Sequence, residues 1–313
     1  TILWKRNIAD WHTRLWPLKS GPAYLPRRLV ANNNVIYVTL GLDAPLTALD
    51  AVTGKTLRTY PKTELTDEIL YHSGVLYLVR NAVSAGRDGV KADVKTVSDI
   101  RKEATSRAWG EERRFVMAVR AESGDILWER ETTVLPITLA ANDRLVCFHD
   151  GTKLVALAPS SGKELWSSQP AERSRKLRSF FAPTLVLHSD AVLFSGGSVK
   201  PNDSGGGNNT MVALSAEDGR KLWEAPHPHS GYKSPEDIFV VDNLVWFGAT
   251  VSGGVDGVHR GYDPVTGKME REFAPDVETY WFHHRCHRGK ATEKYLLTSR
   301  TGIEFLDVRK QTW

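Results

Sequence analysis

The sequence reads as all-β: a β-propeller of four-stranded blades, six of them visible in the 313 residues. Three observations carry this reading. A phrase of an apolar pair, Ala, a turn ending in Gly and a short strand holding Trp recurs along the chain. Two further strand-like runs precede each copy. Tryptophan is also in surplus, with ten Trp against three Met, which fits one residue type used repeatedly for one structural task. A repeat of about 20–50 residues marks solenoids, propellers or arrays. Four short strands per repeat, with no long helical run, favour radially arranged blades over the alternative of a flat solenoid.

The elements follow in order. The first copy is Leu46-Thr-Ala-Leu-Asp-Ala-Val-Thr-Gly54-Lys, preceded by Arg28-Leu-Val-Ala and Val35-Ile-Tyr-Val-Thr. The second, Val116-Met-Ala-Val-Arg-Ala-Glu-Ser-Gly124-Asp-Ile-Leu-Trp128, follows Thr66–Leu70 and Val75–Val79. The third runs from Leu154 through Gly162 to Trp166, and the fourth from Met211 through Gly219 to Trp223. Weaker copies run from Arg260 through Gly267 to Met269, and from Phe305 to Trp313. Each copy is a hairpin whose turn places Gly where φ must be positive, a conformation glycine adopts at little steric cost. The blades are expected at 27–60, 65–130, 134–167, 181–224, 237–273 and 278–313, in a single domain over 1–313.

The spacing Ala-x5-Gly-x3-Trp resembles the tryptophan-docking motif of the PQQ-repeat propellers. That superfamily holds the quinoprotein dehydrogenases and the non-catalytic outer-membrane assembly proteins of the BamB type. The motif is complete at Ala118/Gly124/Trp128, Ala156/Gly162/Trp166 and Ala213/Gly219/Trp223. At Ala48/Gly54/Arg58 and Gly261/Gly267/Arg271, Arg replaces Trp, and at Trp313 the aligned glycine position holds Arg309. The resemblance implies that each Trp stacks on the turn of a neighbouring blade, a role suited to a side chain that buries about 150–250 Å². In the same register Trp4 aligns with Trp128, so the chain is expected to open on the outer strand of a blade and to be part of a seven- or eight-bladed ring. A six-bladed ring with one extra docked strand is the alternative.

Two insertions interrupt the repeats. Ser84 to Arg114 lies within the second blade and is charge-rich, with helix formers over Ser98–Trp109. Gly196 to Asn209 is a polar excursion in the fourth blade, where calcium ligation by Asn202, Asp203 and Asn208 fits no recognised loop.

Composition excludes several classes. Hydrophobic residues at 41% and charged residues at 25% describe a globular chain. A net charge of +4 is too small over this length to argue for nucleic acid. No run approaches 18 apolar residues, so no transmembrane helix is read, and the first residues lack the apolar core of a signal peptide. Two cysteines, Cys147 and Cys286, exclude a disulfide framework and leave a single long-range bridge open.

The densest chemistry lies in His283, His284, Arg285, Cys286, His287, Arg288 and Lys290. Imidazole and thiolate suit zinc or copper, and the flanking cations would lower a thiol pKa. On an extended strand, however, neighbours face opposite ways, so His284 and Cys286 share one face while His283, Arg285 and His287 share the other. A metal is not assigned. A basic lining favours a small anionic or carbohydrate ligand. No catalytic serine elbow, P-loop or HExxH occurs, nor the vicinal cysteine pair of many quinoprotein dehydrogenases. The expectation is therefore a non-enzymatic scaffold that binds a protein partner or small ligand, periplasmic or extracellular by family resemblance. The alternative is an oxidoreductase using PQQ with calcium, or a metal-dependent enzyme, over the propeller channel.

Overall fold

The computed structural model describes residues 1–6, 27–41, 43–82, 113–173, 183–196, 210–227, 238–248, 258–274, 290–298 and 304–312. Among them there is no helix, and the strands fall into six sheets. The first sheet is β1 (Leu29–Asn32), β2 (Val35–Thr39), β3 (Leu46–Asp50) and β4 (Thr56–Thr59). The second is β5 (Thr66–His72), β6 (Val75–Asn81), β7 (Arg114–Arg120) and β8 (Ile126–Thr132). The third holds β9 (Ala140–Ala141), β10 (Val146–His149), β11 (Lys153–Leu157) and β12 (Glu164–Pro170). The fourth holds β13 (Thr184–His188), β14 (Ala191–Ser195), β15 (Thr210–Ser215) and β16 (Lys221–Pro226). The fifth holds β17 (Phe239–Val241), β18 (Leu244–Gly248), β19 (His259–Tyr262) and β20 (Met269–Phe273). The sixth has three strands among the described residues, β21 (Lys290–Ala291), β22 (Tyr295–Thr298) and β23 (Glu304–Asp307). Every sheet follows chain order from one edge to the other.

The chain divides into two compact units. One comprises Thr1–Trp16, Tyr24–Gly151 and Val155–Leu165; the other comprises Pro17–Ala23, Thr152–Leu154 and Trp166–Trp313. Within each, the core is layered between consecutive sheets. In the first unit, Leu76, Leu78, Met117 and Val119 pack with Tyr37, Leu46 and Tyr60 of the first sheet. Their alternates Tyr77, Val79, Val116 and Ala118 pack on the opposite side with Val146, Phe148 and Leu157. Successive side chains of a strand point to opposite faces, so strands buried on both faces need near-continuous apolar runs. The second unit repeats the scheme, with Leu193 and Ala213 against Val245, and Trp246 against Leu296 and Leu306. The outer strands differ. All of β4 is exposed, and the first three residues of β8 and of β12 are exposed except for Trp128 and Trp166.

The motif's spacing has a register explanation. Ala118 lies directly across from Trp128, Ala213 from Trp223, Ala48 from Arg58 and Gly261 from Arg271, and the ladder shifts by one residue immediately afterwards. The shift leads into a four-residue turn. The Gly54 N–H bonds the Asp50 carbonyl at 2.8 Å while the Asp50 N–H bonds the Lys55 carbonyl at 2.9 Å, and Gly124, Gly162, Gly219 and Gly267 repeat the pattern. These glycines have φ between 67° and 85°.

Two boundaries differ from the sequence reading. Arg114 is the first residue of β7, paired with Asn81, so the interruption of the second sheet ends before it. In the last repeat, Gln311 and not Arg309 stands where the other turns have glycine. Its φ is 55°, and its N–H bonds the Asp307 carbonyl at 2.8 Å. The sequence alignment slips by two because the last turn lacks its glycine and Arg309 sits four residues before a Trp.

Candidate functional site

Of the basic run, His283, His284, Arg285, Cys286, His287 and Arg288 lie outside the described residues, as do Asn202, Asp203, Asn208 and Trp313. Lys290 opens β21, exposed and paired with Leu297. Cys147 lies on β10, fully buried and unbridged, and burial pushes its thiol pKa well above the ordinary value. A thiol held protonated is a poor nucleophile and metal ligand.

The tryptophans form the repeated constellation. Trp4 lies on the Gly54 turn, Trp128 on that of Gly162, Trp166 on that of Gly219 and Trp223 on that of Gly267. A Cβ added at Gly54 would meet Trp4 Cδ2 at 2.5 Å, and one at Gly162 would meet Trp128 Cε3 at 2.6 Å. Each indole N–H then donates to the carbonyl three residues before its glycine: Trp4 to Ala51 at 2.9 Å, Trp128 to Pro159 at 2.7 Å, Trp166 to Ala216 at 3.0 Å and Trp223 to Pro264 at 3.0 Å. Glycine serves twice here, supplying positive φ and leaving room for the ring face. The hydrogen bond satisfies both a turn carbonyl and the polar edge of a ring that is buried at Trp128 and Trp166 and half-buried at Trp4 and Trp223.

Where Arg replaces Trp, other groups take over. The Arg58 guanidinium reaches the Ser123 carbonyl at 2.9 Å, and the Tyr60 hydroxyl donates to the Ala121 carbonyl at 2.6 Å. Ala121 stands three residues before Gly124, so Tyr60 makes the bond an indole makes elsewhere. Arg271 similarly reaches the carbonyl of Val308, three before Gln311, at 3.4 Å, while Arg271 and Arg309 both bind the Asp242 carboxylate. These two cations hold the Asp242 carboxyl below its ordinary pKa, with the Arg271 hydrogen bond the larger cause. Glycine at 261 also has a local reason, since an added Cβ would meet the fully buried Trp246 ring at 2.7 Å.

A second set of polar side chains ties the first three sheets together. Glu68, 2% exposed on β5, pairs with Arg27 and accepts the backbone N–H groups of Ile137 at 3.1 Å and Leu139 at 3.3 Å. Beside it, Asp67 pairs with Arg28 and accepts Asn81 Nδ2 at 2.6 Å. Sequence reasoning missed this network and Tyr60, because an acid in an apolar run and a tyrosine two residues beyond the motif carry no local pattern.

Two arginines follow their tryptophans by two residues and grip the same turns. Arg130 reaches the Gly162 carbonyl and pairs with Glu164, while Arg6 reaches the Gly54 carbonyl at 3.2 Å and the Thr56 hydroxyl at 2.6 Å. Around the latter lies an open groove of about 400 Å³, lined by Trp4, Lys5, Arg6, Thr53, Gly54, Lys55 and Thr56. Its chemistry is that of a cationic recess beside an aromatic ring, suited to holding an anion. Among the described residues no three His, Cys, Asp or Glu side chains converge as a metal site. No helix among them is long and apolar enough to cross a membrane.

Comparison with known proteins completes this description. No curated protein matches the chain. Among solved structures, BamB from Moraxella catarrhalis is 13% identical with a TM-score of 0.48, over 88% of this chain and 70% of that one. The quinohemoprotein alcohol dehydrogenase from Comamonas testosteroni is 13% identical with a TM-score of 0.44, over 83% of this chain and 44% of that one. A europium-containing methanol dehydrogenase is 12% identical with a TM-score of 0.48, over 100% of this chain and 71% of that one. A family model described as outer membrane protein assembly factor BamB matches residues 1–200 and 112–272. With most of its length matched, the chain belongs to the PQQ-repeat propeller family described as outer membrane protein assembly factor BamB.

Proposed function

We propose that the chain is a non-enzymatic scaffold of the cell envelope, periplasmic or extracellular, that acts by binding a protein partner. The observation that carries this reading is the use made of its aromatic and polar side chains. Trp4, Trp128, Trp166 and Trp223 each cover a turn of the following sheet and bond its backbone. Glu68 and Asp67 are held by arginines just ahead of β1 and by a backbone amide ahead of β9. These groups rigidify consecutive blades, and a rigid array of exposed loops is what a scaffold offers a partner. The family's description as an outer membrane assembly factor supports the envelope location and the protein partner.

Among the described residues no three acidic, histidine or cysteine side chains converge, and no reaction step is assigned to a quinone. The scaffold reading is tested by covalent capture in intact cells with the full chain as bait. A specific envelope protein should be captured by the chain and lost on deletion of residues 84–112, which leaves the Asn81–Arg114 pairing of β6 and β7 intact. Capture of none by the intact chain would contradict the reading.

A further inference from the structure

We propose that the groove between Trp4 and the Gly54 turn is a docking site for an acidic peptide segment of a partner protein. This inference rests on the scaffold reading and names the chemistry of one contact. Three cations line the groove, Lys5, Arg6 and Lys55, and no carboxylate does. Among the described residues none of the three forms an ion pair, and all three are exposed. Arg6 is oriented by the Gly54 carbonyl and the Thr56 hydroxyl, which spend two of its N–H donors and leave its charge uncompensated. The carboxylate that Lys55 does influence, Asp50, is turned into its own hairpin, accepting the N–H groups of Val52 and Thr53 and the Thr53 hydroxyl.

The repeat supplies an internal control. At the Trp128 and Gly162 contact the positions of Lys5, Arg6, Lys55 and Thr56 are taken by Glu129, Arg130, Lys163 and Glu164. Two acids stand among these four, with Glu164 paired to Arg130 at 2.7 Å and Glu129 paired to Arg80 of β6 at 2.6 Å. The other turns carry acids as well: Asp125 follows Gly124, Asp218 binds Arg220, and Glu270 binds Lys268. Each of these turns thus has an acid paired or placed beside its bases, whereas the groove at Gly54 has none in its lining. Exposed cations grouped beside an aromatic face attract an anionic chain and fix where it sits, through an interaction that falls as salt rises. An acidic peptide offers successive carboxylates, each able to accept from the Arg6 guanidinium or from the ammonium of Lys5 or Lys55.

The test uses a fluorescein-labelled hexapeptide of alternating Glu and Asp, titrated into the full chain and followed by anisotropy. Its amide counterpart of Gln and Asn serves as the control peptide. The acidic peptide should bind at least about tenfold more tightly than the amide one. Lys5→Glu combined with Lys55→Glu should weaken it at least tenfold, and Lys163→Glu, at the homologous position, should change it less than twofold. Unfolding midpoints of all variants should agree, because these side chains are exposed. An affinity unchanged in the double variant, an equal loss in Lys163→Glu, or displacement of the peptide by a DNA duplex at matched charge would each overturn the proposal. In the cell-capture experiment, a partner still captured by the double variant removes the groove and leaves the scaffold. A wild-type chain that captures nothing removes the scaffold itself.

Discussion

The hydroxyl of Tyr60 donates to the carbonyl of Ala121 at 2.6 Å, and Ala121 occupies the turn position that receives an indole N–H at Gly54, Gly162, Gly219 and Gly267. A motif that has lost its tryptophan keeps the hydrogen bond by moving the donor two residues along the strand. Arg58 fills the remaining space against Ser123.

Tyr60→Phe therefore leaves a buried carbonyl without its donor. It should lower stability by about 1–3 kcal/mol in urea unfolding, while Arg58→Ala, on an exposed strand, costs less. Burial, the larger influence, raises the Tyr60 pKa to about 12. A folded-state pKa above the unfolded value of about 10 means that this stabilisation is whole below pH 10 and is lost as pH rises from 10 towards 12. The alkaline fall in unfolding free energy should be shallower in Tyr60→Phe than in the wild type.

Two glycines with the same backbone need should respond differently to alanine. Gly162 and Gly124 have φ of 67° and 85°, so both pay the left-handed cost of about 1–2 kcal/mol. A new Cβ at Gly162 also meets Trp128 at 2.6 Å, whereas at Gly124 the nearest atom is Tyr60 Cδ1 at 3.5 Å. Gly162→Ala should thus cost at least about 1 kcal/mol more, and a double-mutant cycle with Trp128→Ala should show coupling of about 0.5–3 kcal/mol.

Glu68 concentrates three partners on one carboxylate. Glu68→Ala leaves two backbone N–H groups without their acceptor and removes the acid that the part-exposed Arg27 pairs with, and should cost about 1–3 kcal/mol in chemical denaturation. Glu68→Gln, which keeps the acceptor oxygen, should cost less.

How far the sequence reveals all this depends on the physical range of each signal. The hairpins, the glycines and the cross-strand Ala–Trp spacing are legible because turn geometry and the period-2 strand are local. Gly261 is not: its reason is Trp246 on the paired strand, which no spacing rule connects to it. Asp67 and Glu68 read as polar positions of an exposed strand end, yet Glu68 is buried because its partners come from Arg27, ahead of β1, and from the backbone ahead of β9. Likewise, the basic groove joins residues 4–6 to residues 53–56, and only the folded turn brings these two segments together.

Cys147 should be inert in the native chain. With its thiol fully buried and its pKa raised by burial, a thiol-reactive dye should label it only after unfolding. Labelling of Cys147 under native conditions, identified by peptide mapping, would contradict the packing of β10.

The central claim is that the chain works by binding a partner and not by holding a quinone. It is tested most directly by incubating the purified protein with excess PQQ and calcium, separating free quinone by gel filtration, and measuring quinone absorbance in the protein peak. The account predicts that none coelutes with the protein. Coelution at one quinone per chain would contradict it.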